Sequence, residues 1–183
     1  MKPFEPKARP CKTCRQLFAP RSTMQTVCSP RCAVKHVKQE KAAERAKTRT
    51  RKEAIKTIPQ LIREAQVCFN AFIRERDRLA GHSCISSGLP LDWSGNAVDA
   101  GHYRSTGAAS HLRFNEDNCH AQSKQENRFL AGNAIDYRVR LIARIGLARV
   151  EALEADNRPH KWTADELRSI RDTYRQKLKE LRA

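Results

Sequence analysis

The sequence DAGHYRSTGAASHLRFNEDNCHAQSKQEN, residues 99–127, determines how the rest of the chain is interpreted. It lies within residues 81–134, where glycines and turn-forming residues separate short β-compatible pieces, whereas the flanking sequence has helical periodicity. The β-compatible pieces are CIS (84–86) and AVDAGHY (97–103), and residues 117–131 have the pattern of a helix entered at an Asp/Asn cap. This region therefore predicts a small α+β core inside a mainly helical protein.

The sequence on both sides of this region predicts helices. Residues 38–57 have high helix propensity but almost nothing to bury, whereas residues 60–79 repeat apolar side chains at spacings of three and four. Residues from 135 onward are helical up to a break near 157–159, and a capping box of Thr163 and Glu166 starts a last helix. The predicted domains are 1–34, 35–80, 81–134 and 135–183.

The charge of the chain is large and uneven. The 183 residues include 36 Lys and Arg against 20 Asp and Glu, a net charge of +16. Residues 1–60 hold 16 of the basic and 4 of the acidic residues, which leaves only +4 for the remainder. Such a balance indicates a polyanionic partner, most often nucleic acid. No apolar run long enough to span a membrane and no secretory signal is present, so we expect a cytoplasmic protein without a membrane partner.

The basic run 35–56 lies on the helix that has little to bury. In ordinary proteins such a run is a solvated face, but the concentration of charge in the first third favours contact with phosphates. The residues predicted to contact DNA are Lys35, Lys38, Lys41, Arg45, Lys47, Arg49, Arg51, Lys52, Arg104 and Arg113.

Four of the seven cysteines form two close pairs, Cys11-x2-Cys14 and Cys28-x3-Cys32, separated by thirteen residues. An odd number of cysteines without an export signal argues against a disulfide framework. Two thiolate pairs across a short loop can complete a tetrahedral zinc site, whereas the alternative is four unrelated cysteines. A segment this polar cannot fold on its own core, and a structural zinc contributes on the order of 10 kcal/mol. We therefore predict one structural zinc per chain.

The polar residues suited to catalysis lie in the segment 99–127. His102 is followed sixteen residues later by Asn118 and nine residues after that by Asn127, a spacing that resembles the HNH (ββα-metal) nuclease motif. A neutral imidazole with a pKa near 6.5 can accept a proton from water at cellular pH, and a hard divalent cation can stabilise phosphate charge. Taken alone, His102 would more often be an ordinary core or surface histidine.

The HNH resemblance implies a strand that carries His102, an irregular loop, a second strand and then a helix. It implies that His102 is the general base and that Asn118 orients it through a backbone hydrogen bond. Asn127 on the helix and Asp99 would be ligands of a catalytic Mg²⁺ or Mn²⁺, with His120 as a competitor that reaches the metal or the phosphate. The usual motif has its acidic ligand immediately before the histidine, but Gly101 occupies that position here.

More specifically, the chain resembles the NinG/Rap family of lambdoid phages. The resemblance covers almost the whole chain and rests on the cysteine-rich head, the strings DAGHYRSTGAA and HLRFNEDN, the GN-x3-YR pattern at 132–138, and IGLARVEALE followed by PHKWTADEL. It implies a structure-specific endonuclease that acts on branched recombination intermediates such as D-loops and Holliday junctions. It also implies that the protein acts in the cytoplasm of a bacterial host.

A second departure from the family concerns a zinc site. The resemblance implies that two CxxC pairs usually brace the ββα unit, but here the two positions read Cys84-Ile-Ser-Ser87 and Ser123-Lys-Gln-Glu126. Only one of the four cysteines is present, so packing and hydrogen bonds must substitute for that zinc.

Two hypotheses of different classes follow. The first is a metal-dependent endonuclease that activates water, acting as a homodimer because a junction has two strands to cut symmetrically. The second is a non-catalytic, zinc-containing DNA-binding recombination accessory protein, in which the basic arm carries the function.

Overall fold

The computed structural model describes residues 7–129 and 132–183. The chain divides into two compact units, Met1–Lys56 and Thr57–Ala183. This division differs from the predicted boundaries at 34 and 80, because one helix continues through residue 34 and the next helix packs within the second unit. None of the helices in the described part of the chain has the length and apolarity that a membrane crossing requires.

The first unit has a small hairpin followed by a long helix. Strands β1 (Arg9–Pro10) and β2 (Leu17–Phe18) pair antiparallel, and helix α1 spans Pro30–Ala54. The Ser29 side chain caps α1 by accepting a hydrogen bond from the backbone N–H of Cys32. None of the residues of α1 is buried, so the prediction of a basic helix with almost nothing to bury is confirmed, with an earlier start.

The second unit is built on a pair of packed helices, α2 (Ile58–Leu79) and α6 (Ala164–Leu181). Their core includes Phe69 of α2 and Tyr174 of α6, whose ring centroids are 4.8 Å apart in an edge-to-face arrangement. The capping box at Thr163 and Glu166 starts α6 as predicted. The apolar spacing of residues 60–79 predicted an amphipathic helix, and α2 is such a helix with its apolar face packed in a core.

Between these helices in sequence lie two antiparallel strands, β3 (Val98–His102) and β4 (Cys119–Ser123), followed by the short helix α3 (Lys124–Phe129). The prediction of one helix over 117–131 is wrong for its first half, because residues 119–123 pair with β3. The prediction of a strand at 84–86 is also wrong, because Cys84 begins a turn whose carbonyl accepts from the Gly88 N–H.

Two further helices, α4 (Ala134–Ile145) and α5 (Leu147–Ala155), complete the unit. They are separated at Gly146, whose φ of +87° suits glycine and ends α4. A second core joins them to the turn at Ile85 and the loop at Leu112. Within this core the Tyr137 hydroxyl donates to the Gly101 carbonyl at 3.0 Å and so ties α4 to β3.

Candidate functional site

The four N-terminal cysteines meet at one point in the first unit. Cys11 and Cys14 lie in the turn after β1, whereas Cys28 precedes α1 and Cys32 lies in its first turn. Their Sγ atoms all lie within 4.8 Å of one another, with the Sγ of Cys28 at 3.6 Å from those of Cys14 and Cys32. The predicted ligand set is therefore assembled as expected.

The electrostatics of this cluster favour a cation. Burial raises the pKa of the Cys11 thiol, but backbone N–H groups, including those of Cys28 and Thr13, more than offset this and lower the pKa to about 6. The neighbouring Cys32 thiol raises the pKa of Cys28 to about 12. Four thiolates this close repel one another unless a cation neutralises them, and tetrahedral Zn²⁺ matches four sulfur ligands. The cluster could thus bind a metal such as zinc.

Helix α1 has exposed basic side chains along its length. The eight α1 residues predicted to contact DNA are all exposed: Lys35, Lys38, Lys41, Arg45, Lys47, Arg49, Arg51 and Lys52. Four of them, Lys38, Lys41, Arg45 and Arg49, line one shallow surface with Ala42 and Ala46 because spacings of three and four share a helix face. At 1.5 Å per residue the helix is roughly 37 Å long, about one turn of B-DNA.

Arg104 and Arg113, the two residues of the second unit that were predicted to contact DNA, make hydrogen bonds within the fold. The Arg104 guanidinium donates to the backbone carbonyls of Leu153 and Asp156, which end α5, and to the Asn157 side chain. The Arg113 guanidinium donates to Gln66 and to the Thr106 carbonyl. Both arginines stabilise the fold through these bonds, so they are poorly placed for phosphate contact.

The two predicted ligands of the divalent cation lie side by side. The Asn127 Nδ2 of α3 donates to Asp99 Oδ2 of β3 at 3.1 Å. The Arg128 Nε donates to the same oxygen at 2.9 Å, and Asp99 is 16% exposed. In this arrangement Asn127 directs its NH2 group at the carboxylate, so the two side chains would offer oxygen ligands to a divalent cation only with the amide turned and Arg128 displaced.

The glycine before His102 has a neighbour that excludes a side chain. A Cβ at Gly101 would lie 2.0 Å from the Oε1 of Gln122, which is directly opposite Asp99 on β4. Gln122 is fully buried, and its Nε2 is held by Ser86 Oγ and the Gly132 carbonyl, each at 2.8 Å. An acidic residue could therefore occupy position 101 only if Gln122 moved, whereas Asp99 lies on the same face of β3 two residues earlier.

His102 lies at the end of β3 and faces the core. Its Nε2 is 2.9 Å from the Arg113 carbonyl, and its Nδ1 is 3.8 Å from Cys119 Sγ. Its ring stacks on that of Phe69, with the two ring centroids 6.2 Å apart. Burial lowers the pKa of His102. Because side chains alternate along a strand, His102 leaves β3 on the opposite face from Asp99.

Asn118 fixes the loop that contacts His102. Its side chain is fully buried, accepts from the Arg104 N–H at 2.8 Å and donates to the Leu112 carbonyl at 3.2 Å. The carbonyl that contacts His102 belongs to the next residue, Arg113. Asn118 therefore acts on His102 indirectly, through the backbone of the loop.

His120 is held in a buried network that the sequence prediction missed. It is 4% exposed, its Nδ1 is 3.0 Å from Arg76 Nη2, and its Nε2 is 3.2 Å from the Asp117 carbonyl. Burial lowers the pKa of His120. The Oδ2 of Asp77 lies 3.7 Å from the Nδ1 of His120. The sequence feature that could have identified Asp77 as part of this network is its position on the apolar face of α2, four residues after Ile73. His120 thus holds β4 against α2.

The two segments that correspond to the family's CxxC pairs, 84–87 and 123–126, meet around Cys84. Its Sγ accepts from the Ser123 N–H at 3.3 Å and lies 3.5 Å from Ser86 Oγ. Burial raises the pKa of Cys84, but hydrogen bonds from Ser87 and these groups lower it to about 7. In the described part of the chain, only the N-terminal cysteines form a cluster of three or more His, Cys, Asp or Glu that could hold a metal. Hydrogen bonds therefore join the turn at Cys84 to the end of β4.

Comparison with known proteins identifies the family. A family described as "Bacteriophage Lambda NinG protein" matches residues 3–183. The chain belongs to the NinG family. It is 43% identical over 197 residues to protein ninG of Salmonella phage P22, which covers 95% of the chain and 94% of that relative. It is 42% identical over 201 residues to protein ninG of Escherichia phage lambda, covering 97% and 95%. None of the solved structures matches the chain. The predicted resemblance to NinG is confirmed, whereas the endonuclease activity that the resemblance implied stays a prediction.

Proposed function

We propose that this protein is a metal-dependent DNA endonuclease of the HNH type that acts on branched recombination intermediates. The observation that carries the proposal is the contact between Asp99 and Asn127, in an order of strand, loop, strand and helix that also has His102 at the end of its first strand. This is the order that the HNH resemblance implies, and the two oxygen-bearing side chains come from distant parts of the sequence.

The residues have separate roles in this proposal. Asp99 and Asn127 would hold Mg²⁺ or Mn²⁺, which stabilises negative charge on the phosphate and on the leaving 3′ oxygen. Because burial lowers the pKa of His102, the imidazole is neutral at cellular pH and can accept a proton from water. Asn118 and the Arg113 carbonyl hold the imidazole in one orientation.

The first unit supplies DNA binding. A zinc held by the four cysteines would fix the start of α1, and the cations of α1 would contact phosphates. Binding through phosphates is steeply salt dependent and selects DNA shape over base sequence. We expect a homodimer on a four-way junction, in the cytoplasm of the bacterial host.

A second candidate function is supported by the surroundings of His102. Both of its ring nitrogens have neighbours, and its side chain leaves the strand on the face opposite Asp99. These features favour a non-catalytic, zinc-containing DNA-binding accessory protein, in which the central region is a scaffold.

The test is cleavage of a labelled four-way junction with Mg²⁺ or Mn²⁺. We expect the wild type to cut, and His102→Ala to lose about 10²- to 10⁴-fold in rate, the usual contribution of a general base. His82→Ala, in the turn after α2, is the matched control and should cut normally. A wild type that binds the junction but never cuts would refute the nuclease and support the accessory protein. Cleavage by His102→Ala at the wild-type rate would remove His102 from the mechanism.

A further inference from the structure

A small basic cleft lies in the second unit at the start of β3. Its volume is about 220 Å³, and it is lined by the C-terminal half of α2, the loop before β3 and the end of α6. Its lining includes Arg74, Arg78, Trp93, Val98 and Arg182. None of these residues belongs to the candidate catalytic set.

Among the residues that the structure describes, one basic side chain of the cleft has no hydrogen bond or ion pair. The Glu75 carboxylate pairs with Arg78 at 2.9 Å and with Arg182 at 3.5 Å. The Asp92 carboxylate accepts from the Ser94 N–H at 2.9 Å and from its hydroxyl. Among the described residues, no hydrogen bond or ion pair engages the guanidinium of Arg74, which is only half-buried. Arg74 is therefore available to an anionic ligand.

The aromatic ring of the cleft has no role in the cores of the described structure. Trp93 is half-buried and lies outside both hydrophobic clusters of the described residues. The other tryptophan, Trp162, packs on Phe114 at 5.0 Å and donates from Nε1 to the Ser110 carbonyl. An indole beside an uncommitted guanidinium is the combination that binds unpaired nucleotides, because the base stacks on the ring and the cation contacts the phosphate.

We propose that this cleft binds one unpaired nucleotide of branched DNA, with the base on Trp93 and the phosphate on Arg74. The proposal rests on the proposed function, because it takes branched DNA as the substrate. Val98 lines the cleft, and because side chains alternate along β3 it leaves the strand on the same face as His102 and on the opposite face from Asp99, so the bound nucleotide would lie on the His102 side of the strand. Paired bases are stacked inside a duplex and cannot enter, so the cleft selects DNA that has unstacked bases at a branch point.

The test uses the full chain with Trp162→Phe, which leaves Trp93 as the sole tryptophan. The probes are a four-way junction with one unpaired thymidine at its centre and a duplex of the same base composition. We expect the junction to quench the Trp93 fluorescence and the duplex to leave it unchanged. In otherwise wild-type protein, Trp93→Ala and Arg74→Ala should each weaken junction binding on the order of 10-fold or more, as expected for loss of a stacking or phosphate contact. Trp93→Phe should retain most of the affinity.

The control for charge is Arg63→Ala, which removes an exposed arginine of the same helix outside the cleft. It should weaken junction and duplex binding equally and slightly. Unchanged Trp93 fluorescence on a bound junction would overturn the cleft and leave the proposed function standing. Equal losses for junction and duplex in Trp93→Ala would also overturn it. Absence of binding to either DNA would instead refute the proposed function itself.

Discussion

Removal of the buried carboxylate of Asp77 should destabilise the second unit severely. Asp77 is fully buried and accepts hydrogen bonds from the Ala121 N–H at 2.7 Å and from Arg76 Nε at 2.8 Å. Its other cationic neighbour is Arg144, whose Nη1 lies 3.7 Å from Asp77 Oδ2. Burial raises the pKa of Asp77, but the contacts with His120 and Arg76 more than offset this and hold it well below its usual range.

The magnitude follows from the groups that Asp77→Ala leaves behind. The Ala121 N–H loses its partner inside the protein, which costs about 1–3 kcal/mol. The buried Arg144 Nη1, which has no hydrogen bond of its own in the described residues, loses its counter-charge. Breaking a buried ion pair costs about 3–5 kcal/mol, and the two effects overlap, so we expect a loss within that range. Asp77→Asn keeps an oxygen for Ala121 and should lose less.

Urea unfolding at pH 7 measures this loss. Both tryptophans lie in the second unit, so their fluorescence reports its unfolding. Asp165→Ala is the matched control, because the Asp165 side chain is 96% exposed and its removal should change the unfolding free energy by less than about 0.5 kcal/mol. A loss below about 1 kcal/mol for Asp77→Ala would refute the reasoning, because the buried network would then contribute no more than a surface pair.

Three further predictions concern metals and pH. Cys11→Ser should abolish binding of one zinc per chain, measured by metal analysis, and should lower the helical circular dichroism signal, because α1 has no buried residue to stabilise it. Arg128→Ala should tighten Mn²⁺ binding several-fold in zinc-loaded protein, measured by calorimetry, because Arg128 competes for Asp99 Oδ2; Asp99→Asn should abolish that binding. Burial lowers the pKa values of His102 and His120, so the unfolded state binds more protons than the folded state below pH about 6.5. The unfolding free energy, measured by urea titration, should therefore have its highest value above that pH and should decrease as the pH is lowered from 6.5 to 5.

Each of these expectations has an outcome that contradicts it. Full helicity in zinc-free protein would show that α1 needs no metal, and two tightly bound zincs would contradict the hydrogen-bonded arrangement around Cys84. Equal Mn²⁺ affinity in Arg128→Ala would show that the arginine does not compete with the cation. An unfolding free energy that stays constant or rises on acidification to pH 5 would contradict the assigned direction of the histidine pKa shifts.

The sequence could predict the elements that have a local signal. The four-cysteine cluster, the amphipathic α2 and the start of α6 each follow from spacing or capping within a few residues. Strand β4 had no such signal, because Cys119–Gln122 are all buried and no polar–apolar alternation remains. The prediction therefore extended the following helix back across the strand.

The candidate site was only partly predictable for similar reasons. The pairing of Asp99 with Asn127 follows from a known motif order, and the structure brings the two together. The use of Arg104 could not be predicted, because its acceptors are carbonyls about fifty residues away whose positions depend on the whole fold. The spacing of three between Asp99 and His102 already implied opposite faces once β3 was known to be a strand.

The contact between Gly101 and Gln122 constrains how this sequence can evolve. Because Gln122 fills the space above Gly101 and its Nε2 donates hydrogen bonds to Ser86 and to the Gly132 carbonyl, a mutation that adds a side chain at 101 is damaging by itself. A smaller residue at 122 must arise first, since it removes the obstruction at the cost of a cavity. The two positions are thus epistatic, and we expect them to co-vary among homologues, with larger residues at 101 only where position 122 is small.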